Sequence, residues 1–482
     1  MLFRSAYFQD GFAVTPNLKV NLGLRYEYVM PLTEAFGRVA VLTSLDSATP
    51  KLGGSYFNPH NANFAPRVGI AWDPTGTGKT SIRAGYGIYD ALPLPYVMAN
   101  RTNGAPFFES GTATPPLLTP ASFPTGATAL VTASGLRASY IEPNPPRSYN
   151  QQFNFTIQRQ LTTNGALTLG YVGSRSIHLP LAVQDMNQVP PSLVTKAPDG
   201  HWLFPKGSPQ RINPNWGRIP STIWDDAASY NSLVVDFSKR LSHGLYFATA
   251  YTWSKNLDHG SITYAGPEYG NDISRAYPFF SGLDRGPADF DITHNFVYSF
   301  TWNIPTPQSF SGIAKGVLAG WGLGGIFTAR TGAPFSVTLQ TDRANTGNRT
   351  SGGTGGGQRP DFIALPGCSV NAVNPGNPNN YIKTQCFAFP AAGELGNLGR
   401  NTLRGPGLQE FDPSLYKNWA LKEEMRLQFR AEFFNAFNHA NFQMKSPKLF
   451  DGSGSLIPTA TVIGAPTATS SRQIQFGLRL NW

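Results

Sequence analysis

The sequence has little charge and no long apolar run. Asp, Glu, Lys and Arg form only 14% of the 482 residues, whereas an ordinary soluble domain has about a quarter. No stretch approaches the roughly 18 consecutive apolar residues of a membrane-spanning helix. The Lys and Arg residues behind the net charge of +10 are scattered singly, whereas a nucleic-acid-binding protein gathers them into a patch. The sequence argues against both a helical membrane protein and a nucleic-acid partner.

The sequence also lacks recognisable metal-binding, cofactor-binding and catalytic motifs. None of the seven histidines stands at metal-ligand spacing from another histidine or from a cysteine. Cys368 and Cys386 fall in one long predicted loop. A disulfide there would suit an oxidising compartment, but two free thiols fit the sequence equally well. We predict no metal, cofactor or catalytic site, and therefore no enzyme.

Aromatic and turn-forming residues are abundant, and they occur in a regular alternation. Aromatics reach 13%, and 50 Gly with 40 Pro predict many turns and few long helices. Between residues 18 and 28, even positions hold Leu, Val or Tyr, and odd positions hold charged or polar residues or Gly. A period of two indicates a strand with two unlike faces. A tilted strand of about 9–11 residues is long enough to cross a bilayer.

Runs of this kind recur along the whole chain and predict its fold class. We count about thirteen strands, at 3–14, 18–29, 63–73, 79–89, 148–161, 165–173, 229–241, 244–255, 291–303, 318–330, 409–419, 424–438 and 472–482. The connections between them alternate strictly between short and long. This order predicts an all-β fold: a transmembrane, antiparallel up-and-down β-barrel with short periplasmic turns and long extracellular loops.

Aromatic residues stand at the predicted strand ends, as expected for the two membrane interfaces. The predicted periplasmic ends hold Trp72, Trp302, Trp321, Trp419 and Trp482. The opposite ends hold Tyr28 and Trp253. We therefore predict an aromatic girdle on each side of an outer membrane and contact with its lipid.

The odd number of strands predicts that residues 1–482 are part of a larger barrel. Bacterial single-chain barrels have an even number of strands, and open edges in lipid leave unpaired backbone groups. We expect the last thirteen strands of a 22-stranded barrel, a size class whose lumen is plugged. The start of the chain has no signal-peptide pattern, so we place that signal and the first strands upstream. The final strand ends on Trp482, like the signal read by the barrel-assembly machinery.

Two glycine-rich segments imitate nucleotide-binding motifs. Residues 76–80 read GTGKT, but the Gly that a phosphate-binding loop needs five residues before Gly78 is Asp73. Gly320, Gly322 and Gly325 match a dinucleotide fingerprint, but no βαβ unit follows. We interpret the first segment as a hairpin turn and the second as part of a strand.

Several segments resemble the Oar-like group of TonB-dependent receptors. They are residues 6–10 (AYFQD), 14–18 (VTPNL), 21–27 (NLGLRYE), 63–69 (NFAPRVG), 396–401 (GNLGRN), 403–407 (LRGPG) and, most specifically, 430–439 (RAEFFNAFNH) with Asn441 and Phe442. The resemblance implies energy-coupled import of a ligand of the carbohydrate, peptide or siderophore class. It also implies an amino-terminal plug and a TonB-contacting segment, neither of which is visible here, so the TonB complex would bind only through that missing region.

Candidate site residues are the charged residues on the polar faces of the strands. We predict that Arg25, Glu27, Arg67, Arg83, Arg426, Arg430, Glu432 and Arg479 face the lumen. They either contact the ligand or pair with one another and with a plug. Trp202, Trp216 and Trp224, in one long loop, either stack on a ligand or pack within the loop. The alternatives to a transporter are a non-energised porin or loop-displaying adhesin and, less favoured, a secreted soluble β-rich binding protein.

Overall fold

One antiparallel sheet organises the chain. The computed structural model describes residues 3–92, 104–109, 135–261, 275–348, 357–422, 424–444, 446–463 and 467–482. Thirteen long strands follow one another in the sheet in their order along the chain. They are β1 (Phe3–Thr15), β2 (Leu18–Val29), β3 (Phe64–Trp72), β4 (Thr80–Asp90), β5 (Tyr149–Thr162), β6 (Gly165–Val183), β7 (Ser221–Ser242), β8 (Leu245–Asp258), β9 (His294–Asn303), β10 (Trp321–Arg330), β11 (Leu408–Lys422), β12 (Met425–Phe434) and β13 (Gln473–Asn481). The thirteen predicted strands and their antiparallel, up-and-down order are confirmed.

The sheet has one apolar face, and that face is exposed. Directly paired residues of neighbouring strands share a face, so the register carries the face across the sheet. Leu22 pairs with Val68, Val68 with Tyr86, and Tyr86 with Phe153. Leu22, Val68 and Tyr86 are 45%, 39% and 40% exposed. An apolar band of this extent is the lipid-facing surface of a membrane barrel.

Several predicted strand limits are wrong, and at four strands the cause is local. Strands β6 and β7 extend past the predicted limits because Leu181 and Val183 enter a small core with Met186, where both faces contact protein and the alternation is lost. Strand β12 stops at Phe434 rather than at residue 438, because Asn435 and Asn438 have positive φ angles of 48° and 53°.

The fourth of these strands is β10, which begins at Trp321 and not at residue 318. A short helix, α1 (Gly312–Leu318), occupies the connection from β9. Gly320 then turns the chain with a φ of 76°, and a Cβ there would lie 2.3 Å from the carbonyl oxygen of Asn418. No helix among the described residues is long and apolar enough to cross a membrane.

The long connections form a packed loop layer at one end of the strands. The largest cluster joins the β10–β11 and β12–β13 connections through residues such as Phe335, Tyr381 and Leu449. The short strands of the loop layer are Ala40–Val41, Lys51–Leu52, Tyr140–Ile141, Thr195–Lys196, Trp202–Leu203, Gly286–Pro287, Pro334–Phe335, Thr338–Leu339, Asp361–Phe362, Phe387–Ala388, Glu394–Leu395, Leu403–Arg404 and Lys448–Phe450. Its 3₁₀ turns are Pro191–Leu193, Ser281–Asp284, Pro378–Asn380, Thr384–Cys386 and Pro458–Thr461.

Candidate functional site

The polar face of the sheet holds all eight predicted charged residues. Arg67 pairs with Gly23 of β2, two positions from Arg25, and Ala71 pairs with Arg83. The same face continues from Arg83 through every later strand, and it reaches Arg430 on β12 and Arg479 on β13. The register therefore brings the predicted residues onto one surface, although their lumen-facing role stays a prediction.

The charges on this face lie in two groups near the two edges of the sheet. In the first group, Arg25 pairs with Glu27, and the guanidinium of Arg67 lies 4.3 Å from the ring centre of Tyr89. In the second, Arg430 and Glu432 form an ion pair of 3.3 Å whose side chains are 49% and 30% exposed. The charged residues are partly paired with one another, as one of the two predicted roles requires.

Between the two groups, the polar face is mainly uncharged. Strand β5 presents a row of hydroxyl and amide side chains to this face: Asn150, Gln152, Asn154, Thr156 and Gln158. The neighbouring positions on β4 include Gly85 and Gly87, which pair with Asn154 and Gln152. Because Gly85 and Gly87 have no side chains, the amide groups of Asn154 and Gln152 are free to hydrogen-bond with a ligand, water or another part of the protein on this side of the sheet.

A buried arginine binds the loop layer together above this face. Arg400 is 2% exposed, and its guanidinium contacts the carboxylate of Asp258, donates to the carbonyl oxygen of Asp284 at 2.7 Å, and lies 3.5 Å from the carboxylate of Asp289. Burial lowers the pKa of Arg400 to about 10, and the charge of Asp226 partly opposes that shift. Arg400 therefore remains charged at neutral pH and compensates the buried carboxylates.

Further ion pairs join the same connections. Arg359 meets Asp284 at 2.7 Å, with both side chains buried, so the β10–β11 connection is tied to the β8–β9 connection. Asp291, three residues before β9, pairs with Arg404 and lies 3.2 Å from Lys255. Removing one partner of such a buried pair leaves an uncompensated charge, so these contacts fix the loop layer as a unit.

The three tryptophans predicted in one long loop pack among the residues of the loop layer, although Trp224 belongs to the first part of β7. The Trp216 indole is 8% exposed and donates to the carbonyl oxygen of Ser47 at 3.0 Å. Trp224 is 4% exposed and lies against Phe57, with ring centres 5.5 Å apart. Trp202 packs on Phe280 with ring centres 4.5 Å apart. Of the two predicted alternatives, the structure supports packing over an open stacking surface.

Openings lie beside the strand ends at the loop layer. One, of about 50 Å³, is lined by Phe57, Trp224 and the ion pair of Asp90 with Arg147, whose nitrogen and oxygen lie 2.6 Å apart. A larger one, of about 450 Å³, lies between the β10–β11 and β12–β13 connections. Its lining includes Tyr381, Arg404, Gln409, His439 and Phe442.

Cys368 and Cys386 are disulfide-bonded, with Cα atoms 5.6 Å apart. Cys386 is fully buried in the largest loop cluster and Cys368 packs against it. Among the residues that the structure describes, no three His, Cys, Asp or Glu side chains gather as a metal site. The glycine-rich segment at 76–80 is a turn, in which the Asp73 carboxylate accepts from the Gly78 amide at 2.7 Å.

Most of the predicted girdle residues lie at or near the ends of strands. Trp72 closes β3, Trp302 is the penultimate residue of β9, Trp321 opens β10, and Trp482 follows β13, all at the short-turn ends, while Trp419 lies in the last part of β11. Tyr28 and Trp253 lie near the loop-layer ends of β2 and β8. Trp253 is 54% and Trp482 is 87% exposed.

The residues that hold the loop layer were not among the predicted site residues. Two of them, Arg400 and Arg404, nevertheless lie in the resembling segments 396–401 and 403–407. In the resembling segment 430–439, the Asn435 side chain donates to the carbonyl oxygens of His439 and Ser470, at 2.9 and 3.0 Å. These motifs form the junctions between loops and strands, and the resemblance was the signal that could have identified them.

Comparisons with known proteins agree with this architecture. Residues 2–475 match the outer membrane beta barrel domain family. The chain belongs to that family. Its location is therefore the outer membrane, and the exposed apolar face of the sheet is the face that contacts lipid. A search of curated proteins gives no match.

Among solved structures, the chain is similar to transporters and a receptor at low sequence identity. The outer membrane transporter YddB from Escherichia coli is 10% identical with a TM-score of 0.47, and the siderophore receptor PirA from Acinetobacter baumannii is 10% identical with a TM-score of 0.46. The copper transporter OprC is 10% identical with a TM-score of 0.42. Each comparison covers 99% of this chain but only 44%, 45% and 47% of the other protein, in that order.

Proposed function

We propose that this chain forms part of the wall of a TonB-dependent transporter that takes up a carbohydrate, peptide or siderophore. The observation that carries the proposal is the continuous polar face beneath a loop layer fixed by buried ion pairs. A loop layer with its own apolar cores can hold a binding surface in place. The polar face then offers amides, hydroxyls and arginines to a ligand or to a plug inside the barrel.

The motifs that resemble Oar-like receptors support energised uptake over a passive pore. They occupy the junctions between strands and loops, with Arg400, Arg404 and Asn435 at their centres. In such a transporter the eight predicted charged residues face the lumen. Their arginines, which lie near the two edges of the sheet, then form ion pairs or hydrogen bonds with side chains of a plug. A plug needs fixed partners on the wall, whereas an open porin needs only a polar lumen.

The free edges of the sheet are the place for further strands. Within the described residues, β1 pairs only with β2 and β13 only with β12, although unpaired strand edges are very costly in lipid. We infer that both edges pair with additional strands of a 22-stranded barrel, and that β13 with Trp482 is the segment that the barrel-assembly machinery binds.

The test is uptake by cells that carry the protein in their outer membrane, with and without TonB. The probes are a labelled ferric siderophore, a maltodextrin and a short oligopeptide. We expect one probe to accumulate only in cells that have TonB. Equal uptake in both strains would favour a porin, and surface binding without uptake would favour an adhesin. Recovery in the soluble fraction would favour a secreted binding protein.

A further inference from the structure

The connection between β9 and β10 is unlike the other short connections. Residues 304–320 separate these two strands, whereas only residues 163–164 separate β5 and β6. The extra length holds α1 (Gly312–Leu318), which follows an extended Ser311. Short connections of an outer-membrane barrel lie on the periplasmic side, so α1 lies at the periplasmic end of the wall.

Two girdle tryptophans hold α1 against the barrel. The Trp321 indole donates to the carbonyl oxygen of Val317 at 2.8 Å, and the Trp419 indole donates to that of Gly316 at 3.1 Å. Trp419 pairs with Leu427, and Trp321 with Lys417. These positions belong to the apolar face of β10, β11 and β12, so the helix is attached on the lipid side of the wall.

Lys417 fixes the carboxyl end of the helix. It lies on the apolar face, yet it is only 3% exposed. Its ammonium group donates to the carbonyl oxygen of Ala319 at 2.5 Å and lies 5.1 and 5.0 Å from the ring centres of Trp321 and Trp419. A cation is favourable both at a helix carboxyl end and over an indole face. The lysine therefore joins helix, strand and indoles into one structure.

The outward surface of α1 is apolar and has no partner among the described residues. Ile313 is 87% exposed, Val317 is 55% and Leu318 is 54%. Lys315, between them in sequence, is exposed as well. A helix that presents apolar side chains and a cation beside the lipid-facing surface fits the interface of a bilayer, where chains are apolar and headgroups carry phosphate.

We propose that α1 is an interfacial anchor that binds the phospholipid leaflet on the periplasmic side. Ile313, Val317 and Leu318 enter the upper acyl-chain region, and Lys315 lies near the phosphates. The argument for lipid as the occupant is continuity, because α1 is attached directly to the apolar face that the barrel turns toward the membrane. Trp321 and Trp419 therefore have two roles: they lie at the membrane interface, and they bind the helix through their indole hydrogen bonds.

The test places an environment-sensitive fluorophore on the helix. Ile313→Cys carries the label in the full-length protein, reconstituted in vesicles of phosphatidylethanolamine and phosphatidylglycerol. The native cysteines are bonded to each other and do not compete for the reagent. We expect quenching by a lipid with a nitroxide near its headgroup, and severalfold weaker quenching by aqueous iodide than at Thr77→Cys. Thr77 lies in the β3–β4 turn, which has no helix, and is the matched control.

Two results would overturn the proposal. Iodide quenching at position 313 equal to that at position 77, without quenching by the lipid, would place α1 in water. Shielding from both quenchers would mean that protein covers the helix. A second variant separates the helix from the barrel fold: with Ile313→Asp and Val317→Asp and the label at Leu318→Cys, lipid quenching is expected to be lost while the β-sheet circular dichroism signal is unchanged. Retained lipid quenching in that variant would also contradict the proposal.

Discussion

The strands and the loop layer place their apolar side chains differently, because lipid surrounds the strands whereas the loop layer packs like a soluble domain. On the strands, apolar residues such as Leu22 and Val68 point outward and remain exposed, because lipid contacts them. In the loop layer, Phe335, Val337 and Leu449 are completely buried, as in a soluble domain. One chain therefore follows two sets of rules, and the boundary between them lies near the ends of the long strands.

The charges differ between the two regions in the same way. On the polar face of the strands, the pair of Arg430 with Glu432 is open to solvent. In the loop layer, the pair of Arg359 with Asp284 is buried. Exposed pairs contribute little, whereas buried pairs cost much when one partner is lost. Substitutions with the same chemistry should therefore have unequal effects in the two regions.

The largest expected effect is at Arg400. Arg400→Ala removes the guanidinium that contacts the buried carboxylate of Asp258 and lies 3.5 Å from that of Asp289, and breaking a buried pair typically costs about 3–5 kcal/mol. We expect rapid proteolysis of the loop layer while the strands stay protected in lipid. Arg430→Ala, on the exposed strand pair, is the matched control and should cost less than about 1 kcal/mol. Similar proteolysis rates for the two variants would remove the proposed difference between the regions.

The next effect concerns the lipid face. Val68 lies in the middle of β3 and is 39% exposed, so Val68→Arg places a charge near the bilayer centre at a cost of about 2–4 kcal/mol. Gln152→Arg puts the same side chain on the polar face of β5 and should cost far less. The measurement is denaturant unfolding of the protein in vesicles. Equal midpoints for the two variants would contradict the assignment of the faces.

The disulfide tests the loop layer alone. It links residues 18 positions apart, and a cross-link closing a loop of this size contributes about 3 kcal/mol by constraining the unfolded chain. Cys368→Ser with Cys386→Ala should lower the melting temperature of the loop layer and leave the strand signal unchanged. Reduction of the parent protein should give the same shift. If the strand transition moved as well, the two regions would unfold together.

The same contrast explains how much the sequence revealed. Strand positions were predictable because bilayer thickness and the two faces impose a local period of two on residues such as those between Leu18 and Tyr28. The eight charged residues fell on one face for that reason. The helix α1 was not predicted: residues 312–317 were assigned to a connection and Leu318 to the following strand, because seven residues beside a glycine-rich run give no distinct period.

The loop layer was beyond such patterns. Arg400 meets Asp258 across 142 positions, and Arg359 meets Asp284 across 75. No spacing rule connects residues at such separations, and only the resembling motif drew attention to Arg400. The burial of Trp216 and Trp224 likewise depends on Ser47 and Phe57 from a distant connection. The identity of the ligand was not predictable, because neither the strands nor the loop layer contains a recognisable ligand-binding motif.

The smallest predicted effect is a pH dependence confined to the loop layer. Burial lowers the pKa of His201, but Asp361 and Asp199 favour the protonated ring and together raise the pKa above its ordinary value. His201 lies 3.0 Å from Asp361 of another connection. Because the folded pKa is raised, this stabilisation is complete below the unfolded value of about 6.5 and is lost as pH rises through the folded pKa. We expect the melting temperature of the loop layer to fall slightly across that range and the strand transition to stay constant. His201→Gln should abolish the trend, and a trend that survived in this variant would assign it to another group.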